Sequence, residues 1–365
     1  MQRKVKLYHY QLPLDCAMIL RGQSVSVREG WIVELHEPCQ HSQAYRVGRG
    51  EITPLPGFSR ETAPQALAQL ERVIKRWLAR DVLALDDCCA SVAFGFSMAL
   101  LQLAEGAPQA EHCSNNYNNA NSALLLAADL SVITSKHAQL AASSLCKLKI
   151  AAQASVAGAS HDGAIKDGEV ARHLLHHYPQ LRLRLDANRR WSLAAALAFA
   201  EQIPTEYRQR IDFIEEPCHT PGDCLAFSRS TGIAIAWDES LRDADIHAPQ
   251  QGALALIASS DSTRTLLSGS EVKAIVIKPM LTGTVSYCAK LIQLAQQQGL
   301  IAVISSSLES SFGLVQLARL AQSLTPDTTP GLDTVQIFKQ QIRDAWPNCT
   351  LPLIPLSQLA VTTYE

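Results

Sequence analysis

The chain has 365 residues, 47% of them apolar and 18% charged, with a formal net charge of -2. That composition buries a large core and excludes a disordered chain. With no basic patch it also excludes nucleic acid as an expected partner, and no run reaches the ~20 apolar residues of a membrane span.

The charged start, Met1-Gln2-Arg3-Lys4-Val5-Lys6, is followed by no apolar stretch, so no secretory signal is expected. The ten cysteines show neither a repeating spacing nor a C-x-x-C pair, the pattern of reduced cytoplasmic thiols. Up to Gly57 the chain reads as short strands and turns. Val25–Glu34 alternates, a polar loop runs from His36 to Gln43, and Arg46–Glu51 resumes a strand before Pro54, Pro56 and Gly57 break it. Thr62–Leu83 reads as a helix with Leu67, Leu70, Val73, Ile74 and Trp77 at helical spacing. Asp86-Asp87-Cys88-Cys89 reads as an exposed connection, and Ser91–Ala104 as a second helix. Strands first and helices afterwards describe a small α+β unit. The longest apolar run, Ala123–Thr134, is interrupted by Asp129.

From Leu145 onward short β-rich runs alternate with helical patterns. The runs are Cys146–Ile150, Leu181–Asp186, Ile211–Glu215, Gly232–Asp238, Val272–Lys278 and Leu300–Ser305. Six such units in a row predict a parallel β/α barrel rather than a short open sheet. Each run carries a polar residue at or near its end: Lys149, Asp186, Glu215, Asp238, Lys278 and Ser305–Ser307. All strand ends of a barrel meet at one rim, where catalytic groups collect. Helix N-caps account for an occasional Asp or Ser there, but not for two lysines.

Asp186, Glu215 and Asp238 are each one strand–helix step apart, so they come from consecutive strands. Three converging carboxylates repel unless a cation lies between them. Oxygen-only ligands favour a hard ion, Mg²⁺ first, with Mn²⁺ able to substitute. Arg182, Arg184 and Asp186 share one strand face, as do Lys147 and Lys149. Arg184 either contacts substrate or pairs with a carboxylate. Lys149 and Lys278 flank the acidic strands from opposite sides. A neighbouring ammonium and a divalent ion should lower a lysine pKa toward that of a general base.

Leu148-Lys149, Leu185-Asp186-Ala187-Asn188-Arg189, Glu215-Glu216-Pro217-Cys218, Trp237-Asp238-Glu239-Ser240 and Ile277-Lys278-Pro279 resemble the enolase superfamily, most closely its muconate-lactonising branch. Gly50–Ser59, Ser91–Gly95, Ser305–Ser311 and Pro330–Thr334 narrow the resemblance to the o-succinylbenzoate synthases of menaquinone biosynthesis. Arg49 is a departure, standing where that family often has Trp. The resemblance implies an α/β fold: a modified TIM barrel, (β/α)7β, with an α+β N-terminal capping domain. The expected division is 1–112 capping domain, 113–335 barrel and 336–365 a segment returning to the cap. A loop near Leu20-Arg21-Gly22 would close over the site. Asp186, Glu215 and Asp238 would bind Mg²⁺, Lys149 would be the acid/base, and Lys278 would stabilise an enediolate. Lys147, Ser305, Ser307 and Gly331 would bind substrate. The implied reaction is dehydration of a succinyl-hydroxycyclohexadiene carboxylate, so the partner is a small carboxylate, in the cytoplasm, with neither nucleic acid nor membrane. The oligomeric state is left open, a monomer included.

The alternative on the same residues is an N-acylamino acid or dipeptide racemase or epimerase. A Schiff-base aldolase would need no carboxylate trio, and a metal-binding scaffold would lack a catalytic group. Stretches 151–168 and 252–271 read as insertions, and 113–145 as an Asn- and Ala-rich segment of unassigned role. His176-His177 reads as a solvated helix end, and Gly158 and Gly163 lack phosphate-loop spacing.

Overall fold

The computed structural model describes residues 2–39, 44–106, 122–151, 161–243 and 271–365. Gly158 and the rest of 152–160, residues 252–270, residues 113–121 and the division at 112/113 lie outside the described residues.

Strands β1 (Lys4–Leu20) and β2 (Gln23–Pro38) form one long antiparallel hairpin rather than several short strands. Their register runs from Lys4–His36 to Pro13–Val27, then shifts at a bulge before Met18–Val25. The bulge follows Pro13, whose missing N–H interrupts a ladder. The turn is Arg21-Gly22, with φ of 45° and 83°, as a tight hairpin requires. β3 (Tyr45–Ile52) pairs with β2, and the strand Ala360–Tyr364 (β13) pairs antiparallel with β1, Val5 opposite Tyr364. The sheet order is therefore β13-β1-β2-β3.

Helices α1 (Ala63–Leu78) and α2 (Ala90–Glu105) pack on this sheet. Thr62 and Gln65 close a reciprocal capping box at the start of α1. The helix ends at Leu78, short of Leu83, and Arg80 is left-handed with φ 63°. Leu70, Ile74, Trp77, Phe96 and Ala99 bury against Val5, Leu7, Val33 and Leu35. Helix α2 lies so close to β3 that a Cβ on Gly95 would fall 2.2 Å from the Glu51 carbonyl oxygen. Arg49 finds its partner in this sheet: its Nε donates to Glu34 Oε2 at 2.6 Å.

The second sheet is parallel and follows chain order: β4 (Leu124–Ala127), β5 (Leu145–Lys149), β6 (Arg182–Asp186), β7 (Ile211–Glu215), β8 (Ile235–Trp237), β9 (Val272–Ile277) and β10 (Ile301–Ile304). β4 was not expected; its four residues lie inside the apolar run that Asp129 ends by capping the next helix. β8 is shorter than predicted because Gly232 belongs to the preceding helix as its left-handed cap, φ 70°. Pro330-Gly331-Leu332 joins the two sheet edges. Gly331 N–H donates to Ile304 O, Ser306 N–H to Gly331 O, and Ala123 N–H to Pro330 O. The sheet thus curls round a small interior cluster of Phe213, Ala236, Ala274, Val276 and Val303, while the opposite strand faces pack on the helices.

Among the described residues no helix is long and apolar enough to cross a membrane. The described cysteines, including Cys146, Cys218, Cys224 and Cys288 in the core, are free thiols. Cys88 and Cys89 are half-buried rather than exposed.

Candidate active site

Lys149, Asp186 and Glu215 are register partners across β5, β6 and β7. Asp238, Lys278 and Ser305 each follow directly on β8, β9 and β10. Parallel strands in chain order therefore bring these six residues to one rim. Asp186, Glu215 and Asp238 are only 4%, 3% and 3% exposed.

Lys147, one pleat below Lys149, places its Nζ 3.0 Å from Asp186 Oδ2 and 2.7 Å from Glu215 Oε2. Lys278 Nζ pairs with Asp238 Oδ2. Burial alone would raise the Asp186 pKa, but Lys147, Lys149 and Lys278 hold it far below the carboxylate range. Burial pushes Glu215 upward; Lys147 opposes this, and the charges of Asp186 and Asp238 reinforce it. Burial works against the Lys147 ammonium too, yet Asp186 and Glu215 keep it charged. Lys149 is shifted down, first by burial and then by Lys147 and Lys278, against the pull of Asp186.

In donor chemistry, though not in their present spacing, these carboxylates suit a hard cation. The donors are all oxygen, they are buried, and an ammonium already bridges two of them. Among the described residues no three His, Cys, Asp or Glu side chains stand together at metal-ligand spacing. Asp186 and Glu215 close on the Lys147 ammonium, and Asp238 turns to Lys278.

Hydrogen bonds from Glu216 and Arg189 fix the acidic loops, a role that nothing but motif membership signals in the sequence. Glu216 Oε1 accepts from the Asp238 and Ser240 N–H groups at 2.6 and 2.8 Å, and its Oε2 pairs with Arg189. Arg189 Nη2 donates to Ser240 Oγ at 2.7 Å, tying the loops after β6, β7 and β8 together. Asn188 N–H donates to Asp186 Oδ1 at 3.2 Å. Non-glycine residues with positive φ collect on the same rim: Ala151 (58°), Asn188 (49°), Arg189 (57°), Glu216 (30°) and Leu308 (60°). Backbone of that kind persists where surrounding contacts over-determine it.

Ser305 and Ser307 are buried, and Ser305 Oγ donates to Gly331 O at 3.2 Å. Ser307 Oγ has no hydrogen-bond partner among the described residues. Arg184 is buried over the Phe213 ring; it donates to Thr329 O at 2.6 Å and lies 3.5 Å from Asp212 Oδ2. Arg21, at the tip of the β1–β2 hairpin, stacks on Phe58 and reaches to 4.0 Å from Glu239 Oε1. The cap thus touches the residue next to Asp238. His176 and His177 lie away from the rim, on the exposed end of helix His161–His177.

Residues 2–103 match the family described as MenC, N-terminal domain, and residues 136–345 match the enolase C-terminal domain-like family. The o-succinylbenzoate synthase of Aliivibrio salmonicida (strain LFI1238) is 42% identical over 359 residues, covering 98% of each chain. Among solved structures, the o-succinylbenzoate synthase from Thermosynechococcus elongatus BP-1, complexed with Mg in the active site, superposes with a TM-score of 0.66 at 20% identity, over 95% of this chain and 96% of that one. The L-Ala-D/L-Glu epimerase from Bacillus subtilis, in a substrate-liganded complex, gives the same TM-score at 18% identity, over 92% and 91% of the two chains.

Proposed function

The chain belongs to the o-succinylbenzoate synthase family of the enolase superfamily, and from that premise we propose how its rim residues divide the work. The reaction is dehydration of 2-succinyl-6-hydroxy-2,4-cyclohexadiene-1-carboxylate to o-succinylbenzoate, a carbon–oxygen lyase step of menaquinone biosynthesis. The synthase and epimerase structures superpose equally well, so fold alone does not choose between them. The choice rests on 42% identity to a synthase along 98% of the chain.

The observation that carries the division of roles is the order of groups across the strands: Lys149, then the three carboxylates, then Lys278. Asp186, Glu215 and Asp238 would hold a divalent ion, Mg²⁺ or Mn²⁺, whose charge would stabilise the substrate's enediolate. Lys149, shifted down by its burial, takes the proton α to the carboxylate. It then returns that proton to the departing hydroxyl on the same face, which leaves as water as the ring becomes aromatic. Lys278 stays charged on the opposite side. Lys147 holds Asp186 and Glu215 in place and contacts the substrate carboxylate. Ser305, Ser307 and Gly331 seat the succinyl arm.

We further propose the division into residues 1–112 as cap, 113–335 as barrel and 336–365 as a segment completing the cap, with the enzyme in the cytoplasm. The deciding experiment is incubation of the protein with Mg²⁺ and the cyclohexadiene substrate, with o-succinylbenzoate followed by absorbance. Racemisation of N-acylamino acids without o-succinylbenzoate formation would instead establish the epimerase chemistry.

A further inference from the structure

A buried polar set given no role above joins the capping sheet to the loop after β10. Arg28, on β2, is 1% exposed and directs its guanidinium at main-chain oxygens of both units. Its Nη1 donates to Pro54 O at 2.8 Å, its Nη2 to Thr53 O at 3.0 Å, and its Nε to Leu308 O at 3.2 Å. Leu308 is the left-handed residue of that loop, φ 60°. On either side of it, Glu309 Oε2 accepts from the Ser307 N–H at 2.5 Å. Glu51, on β3, accepts from the Tyr10 hydroxyl at 2.5 Å and from the Ser310 N–H at 3.2 Å.

The Ser307 N–H, the Leu308 carbonyl and the Ser310 N–H are thus anchored, the last two by Arg28 and Glu51 of the cap. Ser307 Oγ is buried without a partner among the described residues, as are the second carboxylate oxygens beside it, Glu51 Oε2 and Glu309 Oε1. Strained backbone and unpaired buried polar atoms of this kind gather at ligand sites.

We propose that Arg28 and Glu309 are positioning residues for substrate binding: Arg28 fixes Leu308 from the cap, Glu309 fixes the Ser307 main chain, and together they aim Ser307 Oγ at the succinyl arm. This rests on the proposed role of Ser307 as a substrate contact. It makes the cap part of the specificity machinery through a buried hydrogen-bond relay that does not itself touch substrate.

The test is a double-mutant cycle on o-succinylbenzoate formation in saturating Mg²⁺. Glu309→Leu should raise KM by about tenfold or more while changing kcat by less than about threefold. Glu309→Gln, which keeps an acceptor for the Ser307 N–H, should restore most of the loss. With Ser307→Ala already present, Glu309→Leu and Arg28→Lys should each cost less than about threefold in kcat/KM, because residues acting through one group are not additive. Arg28→Lys keeps the buried charge but cannot reach all its acceptors, so it carries the cycle if Glu309→Leu does not fold. Equal losses with and without the Ser307 hydroxyl would overturn the relay and leave the synthase reaction standing. A silent Ser307→Ala would overturn the relay as well. A wild-type protein that forms no o-succinylbenzoate would overturn the reaction assignment itself, and the relay with it.

Discussion

Lys149 on β5 stands directly beside Asp186 on β6, paired in parallel register. A half-buried lysine is thereby set next to a carboxylate that burial and three ammonium groups treat in opposite ways. Neighbouring strands of one sheet thus offer a group that can lose its proton and a group that keeps its negative charge.

The two lysines should respond differently to substitution. Lys149→Ala removes the proton carrier and should lower kcat/KM by roughly 10²–10⁴-fold or more. Lys149→Arg should recover little, because a guanidinium stays protonated. Lys278→Arg should retain more activity than Lys278→Ala, since charge is the function assigned there. Steady-state kinetics on the four proteins, each checked for folding by circular dichroism, decide the matter; a near-wild-type Lys149→Arg would rule Lys149 out as the base.

Chelation should abolish o-succinylbenzoate formation, and added Mg²⁺ should restore it. Asp186→Asn, Glu215→Gln and Asp238→Asn should each raise the Mg²⁺ concentration needed for half-maximal activity, by titration of the rate. Undiminished turnover in excess chelator would remove the metal from the mechanism.

Acid should release a specific part of the cap's stability. Burial would raise the Glu34 pKa, but His36 and Arg49 overcome it and hold the group at about 2, below its usual 4.5. A carboxylate depressed by folding stabilises above its unfolded pKa, and that contribution is lost as pH falls through the folded one. Glu34→Gln should therefore cost up to about 3 kcal/mol at pH 6. The difference from wild type should shrink between about pH 4.5 and pH 2. Urea unfolding across that range measures it; a pH-independent difference would mean the ion pairs are not its source.

Close approach of α2 to β3 makes Gly95 intolerant of a side chain. A methyl there would lie 2.2 Å from Glu51 O and 2.6 Å from Ile52 Cγ1. Gly95→Ala should destabilise by about 1–3 kcal/mol through forced backbone movement, read as a lowered Tm. An unchanged Tm would show that the helix can lift off the strand freely.

The barrel was legible because each strand is a short β-rich run ending in a polar residue, and Asp186, Glu215 and Lys278 mark those ends without help from neighbours. β4 was not: Leu124–Ala127 is four residues with no polar terminus of that kind. Gly232 was misassigned to a strand because a left-handed helix cap and a strand start both favour turn residues locally. The cap's hairpin is longer than the short strands expected there because the chain continues past Pro13 through a bulge without a break. Least legible were the partnerships. Arg28 with Leu308, and Glu216 with Asp238, join residues far apart in the chain, and no local pattern announces a side chain whose role is to hold another segment's backbone. Nor does spacing show that Lys147 stands between Asp186 and Glu215.

The pairing of β13 with β1 has a bearing on synthesis. Val5 leaves the ribosome before the barrel strands, and Tyr364, its partner, only after all of them. Until then one edge of the cap's sheet has bare amide and carbonyl groups facing solvent, the condition in which nascent strands pair with the wrong chain. Lys4 and Lys6 lie on that edge strand, where charged side chains disfavour pairing with another chain.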